Sequence, residues 1–60
     1  MIEPGVRVKV LYPDYAAGKT GVVLAQETLQ DGSTTGYWLV QIDDEDEMIL
    51  ALSPQEVQIL

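Results

Sequence analysis

PGVRVKVLYPDYAAGKTGVVLA, residues 4–25, decides how this chain folds. Val6, Val8 and Val10 alternate with Arg7 and Lys9. A period of two is the mark of a strand with one face buried and the other in water. Pro4-Gly5 starts that strand and Pro13 stops it, because proline brings no amide to a ladder. YPDYAAGK, residues 12–19, follows as a loop rich in turn formers. Gly18 and Gly21 bracket Lys19 and Thr20, and Val22, Val23, Leu24 and Ala25 open a second strand. Glycine immediately before a β-branched pair predicts a backbone bend or a close approach, not a flexible linker.

Further along, QDGSTTG at residues 30–36 carries hairpin chemistry, since Asp31-Gly32 supplies the positive φ that a turn requires. Its seven-residue length predicts a floppy tip. YWLVQI, residues 37–42, is the strongest strand in the chain, dense in aromatic and β-branched side chains. Five carboxylates follow without a break, Asp43, Asp44, Glu45, Asp46 and Glu47, and their repulsion predicts a solvated turn. Residues 48–52 return as a fourth strand. Ser53-Pro54-Gln55-Glu56 has the pattern of a capping box with proline at the first helical position. With so little chain after it, a single 3₁₀ turn is expected, and residues 57–60 form a closing strand. The prediction is all-β, one domain over residues 1–60: five short strands with a 3₁₀ turn before the last, closing into a small barrel and so removing the sheet edges.

Composition narrows the function. The 60 residues include three basic and ten acidic side chains, a net charge of -7, and 47% are hydrophobic. That length holds one domain near the lower size limit for an unaided core, and the chain is too apolar to be a charge-repelled disordered tail. Cysteine and histidine are both absent, which excludes disulfides, thiolate and imidazole metal sites, and cysteine or histidine-assisted nucleophiles. Ser33, Thr34 and Thr35 therefore have nothing to activate them, and the expectation is a non-enzyme without cofactor or metal. No apolar run approaches the ~20 residues of a membrane helix, and Met1 leads straight into Glu3-Pro4-Gly5. A cytoplasmic protein without a signal peptide or membrane insertion is expected. The negative field disfavours nucleic acid and favours a protein partner with a basic surface.

Several residues are candidates for such contact. The acidic turn Asp43–Glu47 could dock a basic partner or act as a solvated guard between two apolar strands. As a Ca²⁺ site it lacks the twelve-residue ligand spacing and the glycine at the bend. On residues 37–42, alternation puts Trp38, Val40 and Ile42 on one face, the core, and leaves Tyr37 and Leu39 outward. Tyr12 and Tyr15 flank Pro13 in the long loop, either as an exposed aromatic patch or as loop packing. Arg7 and Lys9 lie on the outer face of the first strand, where pairs with carboxylates such as Glu27 or Glu56 are expected. Val22-Val23-Leu24 and Met48-Ile49-Leu50 are apolar on both faces. The surplus predicts either a protein-binding or self-association face or side chains covered by the long loops.

The element order resembles the SH3-like barrel over essentially the whole chain. PGVRVKVL, a loop and GKTGVVLA are more specifically similar to the KOW motif, with Gly5, Gly18, Gly21 and Val23 at the matching positions. YPDYAAGKTGVV is also similar to a segment of the SH3-like barrel of nitrile hydratases, which lies in their β-subunit. By fold that barrel is grouped with the small barrel protein of photosystem I and the variable chain of ferredoxin-thioredoxin reductase. This resemblance implies an electron-transport accessory or adaptor protein that docks on a larger complex, with cyanobacterial photosynthesis as its setting. The KOW resemblance implies the alternative, an RNA- or ribosome-associated module, which would want a basic face. Type II dihydrofolate reductase shares the barrel size, but its VQIY strand has no counterpart here. Residues 48–52 carry no polar group to hold a folate, and VQIL at residues 57–60 stands at the wrong place.

Overall fold

The structure, a computed structural model, describes residues 1–60. Five strands and one 3₁₀ turn follow in order: β1 (Arg7–Val10), β2 (Thr20–Thr28), β3 (Thr34–Ile42), β4 (Ile49–Leu52), the turn (Pro54–Glu56) and β5 (Val57–Ile59). All pairings are antiparallel, and the strands lie side by side in the order β4-β3-β2-β1-β5. The all-β class and the 3₁₀ turn before the last strand are as predicted.

Alternation sets the faces. Val8 and Val10 of β1 are fully buried while Arg7 and Lys9 are exposed. With Val23 of β2, Val40 and Ile42 of β3, Leu52 of β4 and Val57 of β5 they line the core, and Ala16 of the long loop plugs it. Trp38 is partly buried and packs against this cluster, as its parity with Val40 and Ile42 requires. Gly21 stands between Val8 of β1 and Ile42 of β3. A Cβ there would collide with the carbonyl oxygen of Gln41 and meet Val40 Cγ1 at 3.0 Å. The close approach predicted for this glycine is the feature that lets β3 fold tightly over β2.

The barrel does not close through hydrogen bonds. β4 pairs only with β3, and β5 only with β1, so two edges persist where the sequence reading expected none. The link from β4 to β5 is the 3₁₀ turn, in which Glu56 N–H donates to the Ser53 carbonyl at 3.0 Å and Ser53 N–H to Glu56 Oε1 at 2.8 Å. This compact corner carries the chain across to β1, where Leu11 N–H donates to the Glu56 carbonyl at 2.8 Å. It holds the last strand against the first without a β4–β5 ladder.

The hairpin tip is shorter and better held than its length in sequence suggested. Thr34, Thr35 and Gly36 belong to β3, and Thr28 of β2 pairs with Thr34. Only residues 29–33 turn. Leu29 N–H donates to the Ser33 carbonyl at 2.8 Å, and Asp31 Oδ1 accepts from both the Ser33 amide at 2.9 Å and its hydroxyl at 2.6 Å. Ser33 in this way holds the Asp31 carboxyl below the usual carboxylate range. Gly32 takes φ +88°, the left-handed region open to glycine without steric cost. Threonines are good strand residues whatever their polarity, and Thr35 Oγ1 donates to Glu27 Oε1 across the hairpin at 2.8 Å.

Candidate functional site: the outer sheet face and the acidic turn

Register builds the outer face row by row. Val22, Gln41 and Ile49 stand opposite one another across β2, β3 and β4, and Ala25, Leu39 and Ala51 form the next row. A shift in register between Val23 and Ala25 leaves Leu24 as the extra residue of a bulge, 43% exposed. Bulges bend a strand and increase its twist. Tyr37 continues the β3 side of the face beyond Leu39. Tyr37 and Ile49 are nearly half exposed, and Leu39 is half-buried. The outward placement of Tyr37 and Leu39 agrees with their alternation. Ile49 and Ala51 join them, which the double-faced apolar run at residues 48–50 had signalled in part.

Gln41 is the polar group at the centre of this face, and its role was not predicted. Its Nε2 lies 3.0 Å from the Glu45 carbonyl, 3.2 Å from those of Asp46 and Met48, and 3.4 Å from that of Ile42. One amide group thereby gathers the carbonyls of the acidic turn. The turn is also pinned by Met48 N–H to the Glu45 carbonyl at 2.9 Å and Ile42 N–H to the Met48 carbonyl at 3.0 Å. Asp44 takes φ +65°, a left-handed conformation that aspartate tolerates better than most residues. A lone glutamine in an apolar strand just before a charged turn is the signal that could have found this clasp.

The five carboxylates do not act alike. Asp43 accepts from Arg7 through Nη1 at 2.9 Å and Nη2 at 2.5 Å, and from Thr20 Oγ1 at 2.6 Å. The Arg7 hydrogen bonds, then that from Thr20, hold the Asp43 carboxyl down at about 2, and the same contact raises Arg7 further above its usual value. Glu45 pairs with Lys19 at 2.8 Å. Asp44, Asp46 and Glu47 have no ion pair and are exposed. These carboxylates do not gather as a metal cluster, for no three acidic groups in the chain converge on one point. The expected pairing of Arg7 or Lys9 with Glu27 or Glu56 is not formed. Glu27 accepts from Thr35 and Glu56 from the Ser53 amide, while Lys9 makes no ion pair. The reason is register: Arg7 stands opposite Val22, which stands opposite Gln41, so the residues just past β3 arrive beside Arg7.

The loop aromatics are exposed, Tyr12 to 60% and Tyr15 to 68%, while Ala16 between them and β2 is buried. The Tyr12 amide is tied to the Glu56 carbonyl at 3.3 Å. They stand on the β1–β2 connection near the corner before β5, and Tyr37 stands toward the tip of the β2–β3 hairpin. An open depression lies where the acidic turn enters β4, lined by Glu45, Asp46, Glu47, Met48, Ile49 and Leu50. Apolar side chains thus adjoin unpaired carboxylates at one edge of the sheet. No helix is long and apolar enough to cross a membrane. No known protein-family model matches the chain, and neither a curated protein nor a solved structure does.

Proposed function

We propose that this chain is a non-catalytic accessory or adaptor domain that docks on a protein partner with a basic surface. The observation that carries this reading is the outer face of β2, β3 and β4, where Ile49, Ala51 and Leu39 lead away from a turn with three unpaired carboxylates and toward Tyr37 at the hairpin end. Exposed contiguous apolar area beside a single-sign charge fits a surface that desolvates a partner and steers it. The turn is held in shape by Gln41, so little ordering is left for the moment of binding. Return of the last strand to the first agrees with an SH3-like, KOW-like barrel, and a place in cyanobacterial photosynthetic electron transport rests on the sequence resemblance alone.

The alternative, an RNA-associated module, loses support from the ion pairs. Arg7 and Lys19 are engaged by Asp43 and Glu45, which leaves Lys9 as the one side-chain cation outside an ion pair. Phosphate binding draws on several such groups. The test is affinity capture from host lysate with the tagged chain, at low and moderate salt, with and without nuclease. Protein capture that survives nuclease, weakens with salt and is lost in Leu39→Asp is expected. Bound material that vanishes with nuclease would instead establish the RNA reading.

A further inference from the structure

We propose that the free edge of β4 receives an extended, lysine- or arginine-bearing segment of the partner as an added strand. This rests on the docking reading above and assigns it a site and a mode. Antiparallel strands alternate between residues bonded to the neighbour and residues bonded away from it. Ile42 N–H donates to the Met48 carbonyl, so the same alternation directs Leu50 and Leu52 toward their β3 partners Val40 and Trp38. Ile49 and Ala51 then turn their N–H and C=O groups outward, on the side where β4 has no neighbour. None of the turn and loop hydrogen bonds uses these groups. A strand laid alongside would bond to all of them, which is the chemistry of β-strand addition.

Edge strands in soluble proteins are usually blunted by a lysine, a proline, a bulge or a covering loop. β4 is Ile49-Leu50-Ala51-Leu52, with no charge and no proline inside it, and its ladder with β3 runs without a register shift. The other edge, β5, has only three residues and offers a shorter template. The open depression over Met48, Ile49 and Leu50 lies at the start of the β4 edge, with Glu45, Asp46 and Glu47 as its acidic rim. Asp46 and Glu47 have no cation of their own. A segment alternating basic and β-branched residues would place its apolar side chains against the sheet and its cations within reach of this rim. Charge selects this occupant over a second copy of the chain, because two bodies of charge -7 repel.

The experiment uses the full chain and a synthetic eight-residue peptide of alternating lysine and valine, followed by fluorescence anisotropy and amide NMR. Expected are binding that weakens as salt rises, and amide exchange at Ile49 and Ala51 slowed about tenfold or more at saturation, as for a gained hydrogen bond. Methylating the peptide amides that face β4 is expected to weaken binding by about tenfold or more, with the protein untouched. Ala51→Pro removes an outward N–H at an edge position that tolerates proline. It is expected to abolish binding while Ala51→Val retains it. Equal binding of methylated and unmethylated peptides, or shifts confined to Tyr37 and Leu39, would overturn strand addition and leave the docking reading standing. So would slow exchange at Ile49 and Ala51 in the free protein together with a dimer in sedimentation, since a second copy would then occupy the edge. Loss of protein capture from lysate would sink the docking reading itself.

Discussion

A methyl group added at Gly21 should cost this small domain a large share of its stability. The position is buried, flanked by Val8 and Ile42, and faces the Gln41 carbonyl across the fold. In Gly21→Ala the obstacle is backbone, so it cannot be relieved by swinging a side chain aside. Overpacking of this kind costs ~1–3 kcal/mol, and a backbone obstacle belongs at the upper end. Loss of glycine's freedom in the unfolded chain returns ~0.4–1 kcal/mol. The net is a destabilisation of about 2 kcal/mol, against a total of roughly 3–9 kcal/mol for a chain of this length. In a domain this small that corresponds to a fall in Tm of about 8–16 °C. Thermal and urea unfolding followed by the fluorescence of Trp38 would measure it. Gly32 supplies the contrast: its φ is +88° and a Cβ there meets nothing within 4 Å, so its constraint is torsional. Asparagine tolerates that conformation better than alanine. At residue 32 the expected order of stability is Gly, Asn, Ala, whereas at residue 21 it is Gly, Ala, Asn. A Gly21→Ala Tm within about 2 °C of the parent, on the scale of Tm shifts above, would refute the close approach. The same order at both positions would refute the distinction between contact and torsion.

Two further perturbations probe the acidic turn. Asp43 has its carboxyl held at about 2 against an ordinary 3.8, so its contribution is complete above the ordinary value and is lost as pH falls through about 2. Asp43→Asn should lower the urea midpoint at neutral pH, with the gap to the parent closing as pH falls below 4 toward 2. A gap undiminished in strong acid would exclude the Arg7–Asp43 pair as its cause. Gln41→Glu replaces a donor facing four carbonyls with an acceptor. It should cost about 1–3 kcal/mol, more than Gln41→Ala, and speed exchange of the Met48 amide bonded to Glu45. If glutamate and alanine proved equivalent there, the clasp would be structurally idle.

Strand identity was legible because it depends on neighbours in sequence. Val6 through Val10, residues 37–42 and the glycine at residue 21 state locally which face is buried and where backbones meet. Tyr37 and Leu39 were placed outward by the same parity. Length misled at the hairpin tip, where Thr34 and Thr35 look like loop by polarity yet belong to β3, Thr34 paired with Thr28, because a threonine's branched Cβ suits the pleat. Gln41 went unread because a side chain's partners four to seven residues on depend on how the turn folds back.

Partner choice among charges lay outside the sequence altogether. Glu27 and Glu56 are carboxylates like Asp43, but Arg7 meets Asp43, 36 residues away, because two successive strand registers bring the end of β3 over β1. Sequence by itself determined the number of strands, the core-facing side chains of β1 and β3 and the sign of the electric field. Tertiary structure decided which carboxylates are spent in pairs, which apolar side chains stay outside, and that the sheet ends in two open edges. The difference is physical: alternation and turn chemistry act over a few residues, whereas register, curl and edge exposure are set only when distant strands have packed against one another.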